Sequence, residues 1–151
     1  MKTRLAMITL LSALILIPVS AGANGLSPLE ERGKANIFDT NLSTPPGQSC
    51  AACHAPEAGF TGPDSEINLG QVAYPGAVHL RGGNRKPPTS AYGGFSPVLH
   101  YDEDEELFIG GMFWDGRATG WTLGDPLAEQ ALGPFLKPLE QNNPLAKMVC
   151  R

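Results

Sequence analysis

Cys50-Ala51-Ala52-Cys53-His54 constrains this chain more than any other feature. Cys-x-x-Cys-His is the attachment spacing for c-type haem. Each sulfur adds to one haem vinyl group, and the two-residue spacer puts both sulfurs on one side of a helical turn. The following histidine presents an imidazole nitrogen to the iron as proximal ligand. A redox Cys-x-x-Cys normally sits in a βαβ pattern, and a zinc site needs two further Cys or His ligands at suitable spacing. The remaining cysteine, Cys150, is about a hundred residues away and reads as a small apolar residue. One covalently bound haem c on Cys50, Cys53 and His54 is therefore expected.

The N-terminus supplies a matching compartment. Lys2 and Arg4 form a positive n-region, Leu5 to Val19 is a largely apolar stretch of fifteen residues, and Ala21-Gly22-Ala23 reads as a small-x-small cleavage site. A membrane span needs about 20 apolar residues. A cleavable signal peptide over 1–23 is expected rather than an anchor, with a haem domain over 24–151 in the periplasm. The chain is not expected to be membrane-embedded. Removing the leader leaves nine basic against fifteen acidic residues, a formal charge of −6. That balance argues against nucleic acid and anionic lipid as partners.

Eighteen glycines and fourteen prolines predict short helices separated by long connections, in one all-α, cytochrome c-like domain around the haem. A covalent macrocycle can serve as much of the core of so small a domain. Ser27-Pro28-Leu29-Glu30 combines a Ser cap, Pro at the first helical position and Glu three residues on. Leu29, Gly33 and Ile37 then form a stripe ending near Phe38-Asp39, with Gly33 permitting close helix contact. A second short helix is expected to carry the haem motif, capped by Ser49 and ended by Pro56. No periodicity runs from Gly59 to Gly111, and a connection of that length is usually functional. Within it, Asp102 to Glu106 reads as a solvated turn, with a docking patch for a basic cytochrome as the alternative. Asp125-Pro126 opens a helix through Leu132, closed by Gly133-Pro134, and Asn143-Pro144 opens another. That last pattern stops at Arg151 after two turns, which reads as a truncated chain.

These residues resemble the N-terminal haem domain of bacterial di-haem cytochrome c peroxidases and their MauG-like relatives. The resemblance runs from about Leu29 to the last residue. Its landmarks are Gly33-Lys34, Phe38-Asp39, Leu42-Ser43 and the haem motif, then Gly59-Phe60-Thr61 and Arg85-Lys86-Pro87-Pro88-Thr89. Phe113-Trp114-Asp115-Gly116-Arg117, Glu129-Gln130-Ala131, Gly133-Pro134 and Leu139-Glu140 follow. In that family the N-terminal haem is the peroxidatic one, and a glutamine and a glutamate ten residues apart face its open side. Gln130 and Glu140 keep that spacing. A carboxylate there can take a proton from one peroxide oxygen and return it to the other, while glutamine can orient but not shuttle.

The resemblance further implies that Trp114 carries electrons from a second haem domain, and that a loop histidine caps the resting iron. His79 falls within a residue of that position. An open or water-filled site and Met112 remain as alternatives, and His100 is the weaker histidine. Three departures stand out. The stretch from Trp114 to Gln130 is longer than in the family's peroxidases, and Gln141 stands where methionine is common. Lys86 stands where relatives carry an asparagine at an interdomain calcium, so calcium is not implied.

The expected function is that of a cytochrome c peroxidase-type oxidoreductase. It would reduce hydrogen peroxide to water with electrons from a small redox protein, beside a second haem domain or in a homodimer. Only one haem motif is present, so two other readings stay open: a mono-haem electron-transfer cytochrome, and MauG-like oxidation of a protein substrate.

Overall fold

The computed structural model describes residues 25–71 and 73–149. The signal peptide read over 1–23 and Cys150 lie outside the described residues. Helix α1 (Pro28–Phe38) starts as its sequence predicts. Ser27 Oγ accepts the Glu30 N–H at 3.3 Å while Glu30 Oε2 accepts the Ser27 N–H at 2.7 Å, and Pro28 fills the first helical position. The expected stripe, however, is not covered. No residue of α1 is buried, and a Cβ on Gly33 would meet nothing within 4 Å. Gly33 therefore mediates no close helix contact; the neighbour of α1 is the turn that carries the haem motif.

That motif sits on one 3-10 turn, Cys50–Ala52, rather than on a helix continuing to Pro56. Ser49 Oγ caps it by accepting the Ala52 N–H at 3.2 Å. Pro56 opens a second single turn, Pro56–Ala58, instead of ending a helix. The reason is local: the residue before a proline is pushed out of the helical region, and Ala55 is extended at φ −76°, ψ 130°.

The stretch from 59 to 111 contains regular structure too short to leave a period in the sequence. Helix α2 (Ser65–Gly70) is capped by Asp64 Oδ1, which accepts the N–H groups of Glu66 and Ile67, both at 2.9 Å. Strands β1 (His100–Asp102) and β2 (Leu107–Ile109) pair antiparallel with Tyr101 opposite Phe108. Three-residue strands cannot display alternation convincingly. The acidic run is the loop of this hairpin, and Asp102 Oδ1 accepts the N–H groups of Asp104 and Glu105.

Helix α3 (Pro126–Leu136) begins on the Asp125 cap but continues through Gly133-Pro134 rather than ending at Leu132. Pro134 lies two residues from the end, so its missing N–H removes one hydrogen bond of the last turn, and the Lys137 N–H closes that turn on the Pro134 carbonyl. Asn143 starts no helix. Its side chain is committed to residues 42–44 and 135, and only a 3-10 turn, Ala146–Met148, follows.

The fold is thus all-α in character, made of short helices and 3-10 turns with one small hairpin. Its described apolar core is slight: Ala55, Tyr74, Ala77 and Ala118, with Ser43 the largest fully buried side chain. Among the described residues, no helix is long and apolar enough to cross a membrane.

Candidate haem site

The proximal side is assembled from short-range hydrogen bonds. Ser43 Oγ donates to the Pro45 carbonyl at 2.8 Å and accepts the Gln48 N–H at 3.0 Å. This sets the buried Gln48 side chain, whose Nε2 donates to Cys53 Sγ at 3.5 Å. From the other end of the chain, buried Gln141 donates its Nε2 to Cys50 Sγ, also at 3.5 Å. Each sulfur therefore has its own glutamine. Burial, helped by the charges of Glu140 and Cys50, pushes the Cys53 thiol up to about 11, and burial likewise raises Cys50. His54 Nδ1 lies 3.1 Å from the Phe60 carbonyl. A proton on Nδ1 donates there and leaves the Nε2 lone pair for a metal. The same carbonyl accepts the Ser90 N–H, which ties the imidazole's anchor to the segment after Pro87-Pro88.

These residues fit a covalent haem. Two half-buried thiols sit on one turn beside an imidazole with Nε2 free. Among the described residues no three His, Cys, Asp or Glu side chains gather into a metal cage.

A second wall lies at the end of α3. Phe113, Arg117, Pro134, Leu136, Lys137 and Glu140 line a cavity of about 310 Å³. Glu140 sits in the turn after the helix, directly before Gln141, whose Nε2 reaches Cys50 Sγ at 3.5 Å, so the turn lies on the haem-motif side. Its backbone is held closely. The Glu140 N–H donates to the Lys137 carbonyl at 2.9 Å, and its own carbonyl accepts the Ala77 N–H at 2.7 Å. Gly76 lies directly under this turn; a Cβ there would overlap the carbonyl oxygens of Leu139 and Glu140. The Lys137 ammonium reaches Glu140 Oε1 at 2.9 Å. Gln130 is half-buried on α3 and does not line the cavity, but it shares a helix face with Gly133 and Pro134, which do.

The other expected residues are dispersed. Trp114 is 88 % exposed on the turn after Phe113. His79 is exposed on the loop that Ala77 and Arg81 tie to residues 140–142, Arg81 reaching Asn142 Oδ1 at 3.4 Å. Met112 is half-buried, with its methyl 3.7 Å from where a Cβ on Gly93 would stand. His100 is exposed on β1 with Nδ1 2.9 Å from the Val98 carbonyl. The longer stretch before Gln130 is not loose: Glu129 accepts the N–H groups of Gly120, Thr122 and Leu123. Those bonds, Leu123's foremost, hold its carboxyl below the usual range. Gln48, Gly76 and Lys137 thus build the site without having been singled out from sequence, while Glu129 and Asn143 are read there only as part of a family landmark and as a helix start. A Glu beside Gln130 and an Asn-Pro pair were visible, but only the distant partners reveal their roles.

The chain is similar to known proteins. The family model for di-haem cytochrome c peroxidase matches residues 29–151. The chain belongs to that family. The methylamine utilization protein MauG of Paracoccus denitrificans is 36 % identical over 134 residues, which is 86 % of this chain and 33 % of that protein. MauG of Methylophilus methylotrophus is 30 % identical over 119 residues, 79 % of this chain and 28 % of that one. Among solved structures, the diheme peroxidase BthA from Burkholderia thailandensis superimposes with a TM-score of 0.71 at 33 % identity, covering 84 % of this chain and 30 % of BthA. The chain spans about a third of the length of these relatives. Membership makes it part of a family of haem c oxidoreductases.

Proposed function

We propose that the chain is the peroxidatic haem domain of a periplasmic di-haem peroxidase, reducing hydrogen peroxide to water with electrons from a small redox protein. The observation that carries this reading is the placement of Glu140, a carboxylate in the wall of a mostly apolar cavity and next to Gln141, which bonds the Cys50 sulfur. A bound haem would be held by Cys50, Cys53 and His54 and would supply the iron and electrons for cleaving the peroxide bond. The chain's own residues handle the protons. Glu140 accepts the proton of the inner peroxide oxygen and delivers one to the departing oxygen, so that water leaves. Gln130 lies outside the cavity lining but one turn back on the helix face of Gly133 and Pro134, from where its amide would orient the peroxide. His79 would cap the resting iron and withdraw with its loop, whose N-terminal end is bonded to the Glu140 carbonyl. Trp114 would relay electrons through its exposed indole to a second haem domain or protein partner.

A MauG-like oxidation of a protein substrate is the second reading, favoured by the 36 % identity to MauG. It would use the same proton-handling pair. The leader over 1–23 supports export.

The test is the stopped-flow rate of haem oxidation by hydrogen peroxide in the purified holoprotein, a step that needs no electron donor. Glu140→Gln keeps shape and removes the proton acceptor, and the rate should fall by about 10²- to 10⁴-fold. An unchanged rate would remove Glu140 from the proton transfer, and a wild-type holoprotein that did not react with peroxide at all would be left as an electron-transfer cytochrome.

A further inference from the structure

Glu140 has a partner that the family spacing does not name. The Lys137 ammonium lies 2.9 Å from its Oε1, and both side chains line the same cavity of about 310 Å³. An i,i+3 ion pair with side chains roughly 36–40 % exposed adds little to stability. Here, though, the backbone fixes both partners before the charges meet. The Lys137 N–H donates to the Pro134 carbonyl, and its own carbonyl accepts the N–H groups of Glu140 and Asn142 at 2.9 and 3.0 Å. The Glu140 carbonyl is in turn bonded to Ala77. With the main chain set, the ammonium has one task left, to select the carboxylate's direction. Lys137 also caps the carbonyl end of α3, where a cation is favoured.

Charge accounting around the cavity assigns that task to Lys137. The second cation in the wall, Arg117, is already held by both oxygens of Asp115, at 2.7 and 2.8 Å, and lies 3.8 Å over the Phe113 ring. The remaining cavity walls, Phe113, Gly133, Pro134 and Leu136, are uncharged. Cys50 and Cys53 are the other titratable groups that sense Glu140, and as thioethers they carry no charge.

We propose that Lys137 is a positioning residue for Glu140, orienting its carboxylate and cancelling its charge so that a small anionic or weakly acidic haem ligand can enter. The inference rests on the peroxidatic reading but is tested separately from it. The experiment is a charge cycle on the holoprotein with Lys137→Met, Lys137→Arg, Glu140→Gln and the Lys137→Met/Glu140→Gln pair. The readouts are equilibrium binding of potassium cyanide to the ferric protein and the stopped-flow rate with peroxide.

Lys137→Met leaves a carboxylate uncompensated in the cavity, so cyanide affinity should fall by about three- to tenfold and the peroxide rate by a similar factor. Lys137→Arg should restore both to within about twofold, because the charge returns. In the double variant no unpaired carboxylate remains, so cyanide affinity should recover towards the wild-type value. A purely structural lysine would be rescued by neither change. Wild-type affinity in Lys137→Met, or a loss that persists undiminished in the double variant, overturns the proposal. Glu140→Gln at the wild-type peroxide rate would instead overturn the proton shuttle, while the cyanide cycle would still report on the pair.

Discussion

The two walls of the haem site are built by different means. On the proximal side, the contacts apart from Gln141 on Cys50 span a few residues: Ser49 to Ala52, Ser43 to Gln48, Gln48 to Cys53 and His54 to Phe60. On the Glu140 side they span much of the chain. Asn142 and Asn143 bond to residues 42–44 about a hundred positions away, Gln141 reaches Cys50, and Ala77 reaches Glu140. The proximal wall is a local motif that positions iron and sulfur ligands almost by spacing alone. The second wall depends on the assembled fold, so its geometry is more easily lost to substitutions far from the chemistry.

The largest effect should come from Gly76→Ala. A methyl group there would run into the carbonyl oxygens of Leu139 and Glu140, and backbone cannot yield as a flexible side chain can. The displaced turn would also surrender the bond between Ala77 and Glu140. Destabilisation of about 3 kcal/mol is expected in urea titration of the holoprotein, at the upper end of overpacking effects. The peroxide rate should fall with it, while the proximal haem spectrum of the folded fraction stays as in wild type. A proximal spectrum that changed to the same degree would show that the two walls are not separable.

Asn143→Ala should be next. Asn143 is only 3 % exposed, and its Nδ2 serves the carbonyls of Leu42 and Phe135 at 2.7 and 2.9 Å while its Oδ1 accepts the Thr44 hydroxyl at 2.8 Å. Truncation leaves those partners short of a bond, at a cost of about 2 kcal/mol. The thermal midpoint should drop, and peroxide reactivity should suffer more than haem attachment does. Unchanged stability would mean that residues 42–44 and 139–143 are joined by their backbone bonds alone.

This division also sets what could be read from the sequence. The Ser27 and Asp125 caps, the Ser49 cap on the turn that carries the Cys-x-x-Cys-His motif and the all-α character were legible, because each cap rests on residues within one turn of one another. The stop at Gly133-Pro134 misled because proline is excluded from helix interiors but tolerated near an end, where α3 places it. Helix α2 and the hairpin were too short to produce a period. The helix expected after Asn143 failed for a tertiary reason: the asparagine that would cap it is already bonded to a loop a hundred residues upstream. Lys137 and Gly76 were invisible for the same reason. Their importance lies in partners that only the folded chain brings together.

The smallest effect tests the local wall. Ser49 Oγ accepts the Ala52 N–H and so closes the single turn that carries both cysteines. Ser49→Ala removes one cap bond at a half-exposed site, and a loss of about 1 kcal/mol is expected in chemical denaturation of the holoprotein. The comparison predicts where that loss is felt. The turn keeps the backbone bonds from Cys53 and His54 to the Cys50 carbonyl, and His54 keeps its bond to Phe60. Haem should therefore still attach, the peroxide rate should stay within about twofold, and only stability should fall, because the local motif is held by several short bonds at once. A Ser49→Ala variant that lost peroxide reactivity while keeping its covalent haem would show that this turn transmits its geometry to Glu140. Gln141 on the Cys50 sulfur would be the first contact to examine for the coupling.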